Sequence, residues 1–375
     1  MQHIKLTIQG EFWDTQIYSK KLYIFGDSGD MYVINWNCLI EEYFEKYRLL
    51  QTVSHVSFLE SDLFYTRSSQ TIFKEPNVKN IIQNRFKELA NLQVEIKLVG
   101  KHVNHKQNPL PFPHTDSEIY YSKIYVALNS GVYTAPCTSG KNTKLWDAPV
   151  LNISASNSYT AVALAAGNEG LYEMNAHREK EIPKANQVSN QHCSSCEWSD
   201  FNISGSSHVS SSFFAAFRKI KDEKNKNKVI RQFDKIISMD EIFNNDGYSW
   251  GSHDKLYMYK NNNIQSITLK DGDNKKPSFN TVGTIPVDHW VDEVISASTA
   301  PFGTIIECDN AIIVLQSNGE TITIEGEPVN WRVFANSKYY KNQLHIVYED
   351  RLEIHSFYHD YFIDQTTKIS GIEMA

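Results

Sequence analysis

The stretch Trp146–Asn175, WDAPVLNISASNSYTAVALAAGNEGLYEMN, decides the fold. It reads as a Trp, an apolar strand ending in Ile153-Ser154-Ala155-Ser156, a second strand Tyr159–Ala165, a Gly-containing turn and a third strand Leu171–Met174. Strand-sized runs cut by Gly, Asn, Asp and Ser are the mark of consecutive hairpins. Working outward, Trp recurs at 198, 250, 290 and 331. After Trp198 comes Asn202-Ile203-Ser204-Gly205-Ser206, after Trp290 comes Val294-Ile295-Ser296-Ala297-Ser298, and after Trp331 comes Val333-Phe334-Ala335-Asn336-Ser337. An apolar residue followed by small ones suits the crowded innermost strand of a propeller blade.

Hairpin material follows each unit. Examples are Lys21–Trp36 around Gly26-Asp27-Ser28-Gly29, Ile124–Thr134 around Asn129-Ser130-Gly131, Lys255–Leu269 around Asn261-Asn262-Asn263, and Ile312–Ile324 around Ser317-Asn318-Gly319. Near the end, Leu352, Ile354 and Ser356 alternate with Glu353, His355 and Phe357. Divided by this rhythm, the chain falls into spans 1–50, 51–95, 96–146, 147–197, 198–250, 251–290 and 291–375, the last holding two units. The expectation is an all-β chain, one β-propeller domain over 1–375, with seven blades as the central count and six to eight as the range. A strand at His3–Gln9 is expected to complete the last sheet.

Some segments break the rhythm. In Asn77–Leu92, Val78, Ile81, Ile82, Phe86 and Leu89 recur at helical spacing, so an amphipathic helix is expected between blades. Leu39–Leu50 reads as a second short helix. Lys219–Lys228, KIKDEKNKNK, reads as a charged hairpin in solvent, and Asn104–Asp116, with three Pro, as an irregular loop.

The order Ile-Ser-Ala-Ser, then Tyr-Thr-Ala-Val-Ala-Leu, then Gly-Leu-Tyr resembles regulator-of-chromosome-condensation-type repeats over 147–175 and 198–217. The second copy departs after Ser212, where the Gly-rich turn is missing. WD-type repeats are also similar, with a Trp-Asp dipeptide at Trp146-Asp147. The first resemblance would imply a guanine-nucleotide exchange factor, and neither points to a specific family.

Composition bounds the function. A net charge of −7 gives no electrostatic reason to expect nucleic acid. No run approaches the length of a membrane-spanning helix, and the N-terminus does not read as a signal peptide. Five Cys at irregular spacing fit a reducing compartment, so a cytoplasmic location is expected.

The sharpest chemical signal is His192-Cys193-Ser194-Ser195-Cys196. Two thiolates at this spacing can hold one Zn²⁺, but a tetrahedral site needs two more ligands and no second Cys-x-x-Cys exists. His192, His208 or the loop histidines His102, His105 and His114 are the candidates to complete it, and unliganded thiols or a redox pair are the competing readings. Gly26-Asp27-Ser28-Gly29 matches part of a serine-protease motif, yet a hairpin turn demands the same residues. His355, His359 and Asp360 flank an aromatic cluster that reads as structural. No phosphate loop or nucleophile elbow is present.

The sequence therefore favours a non-catalytic interaction scaffold or adaptor that binds another protein and needs no cofactor, a structural zinc aside. The expected contact residues are Ile81, Ile82 and Phe86 on the helix and Lys219 and Lys221 on the hairpin. The alternative is an enzyme or small-ligand binder whose site is built from inner-strand serines such as Ser154, Ser204 and Ser296.

Overall fold

A computed structural model describes residues 3–138, 140–156, 159–176, 187–221, 229–252, 255–271, 277–287, 293–316 and 319–357. Among the described residues seven sheets of four or five strands, antiparallel but for one added edge strand, stand one per blade and make the chain a seven-bladed β-propeller. Two compact units share these sheets: one holds Met1–Asn108 with the strands from Ile295 onward, the other Pro109–Val294.

The first unit opens with β1 (His3–Gln9) and a meander of β2 (Phe12–Tyr18), β3 (Lys21–Gly26) and β4 (Asp30–Asn35). The chain then leaves the sheet through α1 (Trp36–Phe44), α2 (Gln51–Phe58), α3 (Arg67–Phe73) and α4 (Pro76–Ala90). It returns as β5 (Val94–Ile96) and β6 (Val103–Gln107), and the sheet order is β2-β3-β4-β6. The helices pack through Trp36, whose indole N–H donates to the Phe58 carbonyl at 2.9 Å. At the head of α4, Pro76 occupies the first turn and the Glu75 carboxylate accepts from Val78 N at 2.9 Å, satisfying a free amide.

The second unit holds four sheets in chain order. They are β7 (Asp116–Tyr120) to β10 (Thr143–Trp146), β11 (Asn152–Ala155) to β14 (Gln187–Ser189), β15 (Ser195–Ser199) to β18 (Val229–Ser238), and β19 (Tyr248–Ser252) to β22 (Pro277–Pro286). Within them, β12 (Ala161–Ala165), β13 (Leu171–Asn175), β16 (Asn202–Ser206) and β17 (Phe213–Lys221) carry the residues discussed below. The first strands β7, β11, β15 and β19 pack in succession.

The chain then rejoins the first unit. β23 (Ser296–Ala300), β24 (Gly303–Cys308), β25 (Ala311–Gln316) and β26 (Thr321–Glu325) form one sheet. β27 (Asn330–Val333), β28 (Gln343–Val347) and β29 (Arg351–Phe357) begin the last. That sheet is completed by the N-terminal strand, as the sequence anticipates: β1 pairs antiparallel with β29 from His3↔Phe357 to Gln9↔Arg351. β5 then adds in parallel on the outer side of β1. Alternation sorts β1 by face, with Ile4, Leu6 and Ile8 fully buried toward the helices.

Three expectations need correction. The span 51–95 is not a blade. It is helical, and the count of seven survives because 291–357 supplies two sheets. The expected helix at Leu39–Leu50 is α1 starting earlier, at Trp36, followed by a 3-10 turn at Arg48–Leu50. Part of the Pro-rich loop is the strand β6, with the irregular segment confined to 108–115.

The Trp repeat also mixes strand positions. Trp198, Trp250 and Trp331 lie on first strands, Trp146 on a fourth strand, and Trp290 outside the described residues. Thus Asn152–Ser156 starts a blade, whereas Asn202–Ser206 is the second strand of the next. Both are buried β segments crowded by neighbours, so the same apolar-then-small composition serves two positions. At Gly205 a Cβ would fall 2.5 Å from the Phe213 ring.

Candidate functional site

The Cys-x-x-Cys segment sits where β15 meets the preceding sheet. Cys193 forms an isolated bridge with Gly167, and its Sγ–H donates to the Ser195 carbonyl at 3.2 Å. Cys196 N donates to Asn152 Oδ1 at 2.9 Å. The same Asn152 donates through Nδ2 to Asp116 Oδ2 at 2.7 Å, as does Ile153 N at 2.7 Å, while Ser117 N reaches Asp116 Oδ1 at 2.8 Å. Three adjacent blades of this unit are thereby tied along their first strands by one carboxylate and one amide. Such a chain satisfies buried polar groups and fixes the register between blades.

Both thiols are buried, and burial pushes the Cys193 thiol up to about 12 and Cys196 well above its usual range. Raised thiols carry little thiolate, the form that binds metal or attacks an electrophile. His192 is engaged with Ser207 Oγ at 2.8 Å from its Nδ1. Among the described residues, no three His, Cys, Asp or Glu side chains converge on a point that could hold a metal ion. Of the loop histidines, His102 bonds Glu42 at 2.8 Å, His105 stacks on Tyr32 and bonds Asp30, and His114 packs edge-on to Phe112.

Two of these geometries make testable statements. Cys193 and Cys196 should resist iodoacetamide at pH 8 in the native protein, while the half-exposed Cys38 is alkylated first. Mass spectrometry of labelled peptides reads this directly, and fast native labelling of Cys193 would contradict the burial.

Glu197 is the second case. Burial, and then the nearby Asp116 carboxylate, raise its carboxyl to about 8. It holds its proton in the folded protein at neutral pH but releases it when unfolded. Stability contributed by this group is present below about pH 4.5 and is lost as pH rises toward 8. Glu197→Gln is therefore expected to raise the melting midpoint at pH 7.5 and leave it nearly unchanged near pH 4, as scanning calorimetry at the two pH values would show.

The inner-strand serines are committed to packing. Ser204 Oγ donates to the Glu197 carbonyl at 3.1 Å, Ser296 Oγ bonds Glu307 Oε2 at 2.5 Å, and Ser154 is buried with its carbonyl accepting from the Trp198 indole at 2.9 Å. The Gly26–Gly29 motif is a turn, closed by Gly29 N to the Gly26 carbonyl at 3.2 Å with Gly29 at φ 81°. His355 is buried in the last sheet, while His359 and Asp360 lie outside the described residues.

The α4 face is divided rather than free. Ile82, Phe86 and Leu89 form a stripe buried against β1 and α2. Successive helical residues turn by about 100°, which sets Ile81 roughly a quarter turn off that stripe. Ile81 is 59% exposed. Of the three expected contact residues on the helix, then, Ile82 and Phe86 belong to the core and only Ile81 faces solvent. Sequence periodicity groups all three because a stripe and its flank are not resolved in one helical turn.

Reading α4 alone also misses its neighbours on the insertion, Leu49 (71% exposed), Leu63 (64%) and Ile72 (58%). The signal for them is present: large apolar residues that fit neither a helical stripe nor strand alternation. On β17, Lys219 lies over the Phe201 ring and 3.4 Å from Asp200, and Lys221 is exposed. Residues 222–228 of that hairpin lie outside the described residues.

No family model and no curated protein matches this chain. Solved structures do. The chain is similar to BBS1N in complex with ARL6DN, in a lead-soaked crystal (TM-score 0.52, 7% identity, 97% of this chain and 98% of that one) and a mercury-soaked one (0.50, 7%, 95% and 96%). It is also similar to the Pan2 WD40 domain of Neurospora crassa (0.44, 9%, 93% and 90%). The likeness is one of fold. At such identities it carries no substrate, partner or family across. No helix among the described residues is long and apolar enough to cross a membrane.

Proposed function

We propose that this chain is a protein-interaction scaffold or adaptor that docks another protein through the helical insertion between β4 and β6. The observation that carries this reading is the apolar set Leu49, Leu63, Ile72 and Ile81, left exposed on helical turns whose other large apolar side chains are buried or partly buried. Large apolar residues concentrated on one inserted element mark an interaction site more often than scattered ones do. The buried Cys193 and Cys196 thiols, raised by burial, and the Ser204 hydroxyl, bonded to the Glu197 carbonyl, do not supply an activated nucleophile. BBS1N, similar in fold, was solved with a protein bound. All five cysteines are free thiols, which agrees with a reducing cytoplasm.

The test is affinity purification of the full chain against Ile72→Glu/Ile81→Glu and, separately, Lys219→Glu/Lys221→Glu. Both doubles alter partly or fully exposed side chains and should keep the native circular dichroism spectrum. Loss of a stoichiometric partner in the first double supports docking on the insertion. Loss only in the second moves the site to the β17 hairpin, and absence of any partner for the intact chain rejects the scaffold reading.

A further inference from the structure

The seam between β1 and β29 holds a group of side chains that docking does not use. On one face of the last sheet, the His3 ring lies 4.9 Å from the His355 ring and 5.4 Å from Phe357. His355 Nε2 is 3.1 Å from Glu353 Oε2, and Glu353 Oε1 takes Lys5 Nζ at 3.1 Å and Arg351 Nε at 2.9 Å. His355 and Glu353 are almost fully buried, and His355 Nδ1 has no hydrogen-bond partner. The sheet packed on this face presents apolar side chains: Phe302 stacks on Phe357 at 4.3 Å, with Ile305 and Ile324 beside it. On the opposite face His345 is also buried, 3.1 Å from Gln343 Oε1 and 3.5 Å from Thr15 Oγ1, edge-on to Phe334.

We propose that this seam is an acid-sensitive latch: protonation of His3 and His355 at mildly acidic pH loosens the N-terminal strand from the last blade. Two imidazoles tilted against each other at 4.9 Å across the β1–β29 boundary cannot both be charged without repulsion, and the partner sheet offers apolar groups to receive that charge. The charged neighbours are mixed in sign. Glu353 favours a charged His355, while Lys5 on β1 and Arg351 on β29 oppose it. Glu353 is already shared between those two cations, so its support is divided. For His3, burial, then His355 and Lys5, and more weakly the α-amino group, oppose the charge against Glu353 alone, and the ring is lowered to about 3. His345 is lowered to about 3 by burial, His355 and Arg332, but it sits between β28 and β2 and does not bridge the latch.

The sign follows from linkage. A histidine whose folded value is depressed stays neutral while closed and takes up a proton when exposed, so opening is favoured as pH falls below about 6.5. Between pH 7.5 and 5.5 a histidine held as low in the closed state as His3 raises the opening equilibrium about tenfold, and His355, lowered as well, adds to that.

Hydrogen–deuterium exchange on the full chain tests this. Opening of the segment 3–9, corrected for the intrinsic pH dependence of exchange, should rise by more than about tenfold from pH 7.5 to 5.5 while β12 in the other unit moves far less. His3→Gln should reduce the rise about tenfold and His3→Gln/His355→Gln should abolish it. Should the double variant fold poorly, the partly exposed His3 site still reads the effect alone. A rise in β12 equal to that in β1, or a pH response untouched by His3→Gln, would overturn the latch.

Discussion

Arg332→Met is expected to destabilise the protein by about 3–5 kcal/mol, the cost of stranding a buried charge. Its partner Asp14, on β2, has no solvent exposure. Arg332, on β27, grips it with both arms of the guanidinium, Nε to Oδ1 at 2.6 Å and Nη2 to Oδ2 at 2.7 Å. Asn330 Nδ2 adds a bond to Oδ1 at 3.0 Å and Thr15 N another at 2.7 Å. Removing the guanidinium leaves a buried carboxylate to neutral donors such as Asn330 Nδ2 and Thr15 N. A fork-shaped donor cannot be replaced by a point charge, so Arg332→Lys should recover only part of the loss. The paired change Asp14→Asn/Arg332→Met removes both charges at once and is expected to recover most of it. Urea unfolding of the four proteins measures this, and equal loss in the single and paired variants would show that packing of the Arg332 stem, not the charge, is what matters.

That pair also marks the limit of what the sequence carries. Asp14 and Arg332 stand 318 positions apart, and nothing local to either announces the other. The hairpins are different. Leu22, Ile24 and Ile34 alternate with the turn Asp27-Ser28-Gly29 between them, so period and punctuation agree within 15 residues. The same local agreement in β1 makes the closing strand legible, since Ile4, Leu6 and Ile8 repeat every second residue.

The helices between 51 and 73 are illegible for a physical reason. QTVSHVSF and RSSQTIF are short, rich in β-branched and hydroxyl residues, and hold their shape through burial of Trp36, Phe58, Phe64 and Phe73 rather than through propensity. The Cys-x-x-Cys pair was the clearest motif and is the least active chemically. What decides its character is depth, since both thiols are buried, and that depth is shared with Asn152 and Asp116 from other blades.

Removal of β1 should cost more than any single substitution. It uncovers Ile4, Leu6 and Ile8, each fully buried, at about 1.5–3 kcal/mol apiece, or roughly 5–9 kcal/mol together. It also strips seven paired residues from β29 and leaves β5 with no strand to join. Total stability of a globular protein is about 5–15 kcal/mol, so a chain lacking residues 1–9 is expected to be insoluble or to melt in its first unit near room temperature. The second unit, whose sheets do not include β1, should retain its protection, and exchange mapping would separate the two responses. A synthetic peptide of residues 1–11 added during refolding should restore soluble protein, because the register from His3↔Phe357 to Gln9↔Arg351 is encoded in the strand itself. Leu6→Asp in the intact chain tests the same seam without truncation: the charge would enter a site shared with Ile354 and Val94, and its effect should match the deletion. If the truncated protein instead melts within a few degrees of the full chain, pairing of β29 with β1 is dispensable and the last blade is held by its contacts with Phe302 and the helices alone.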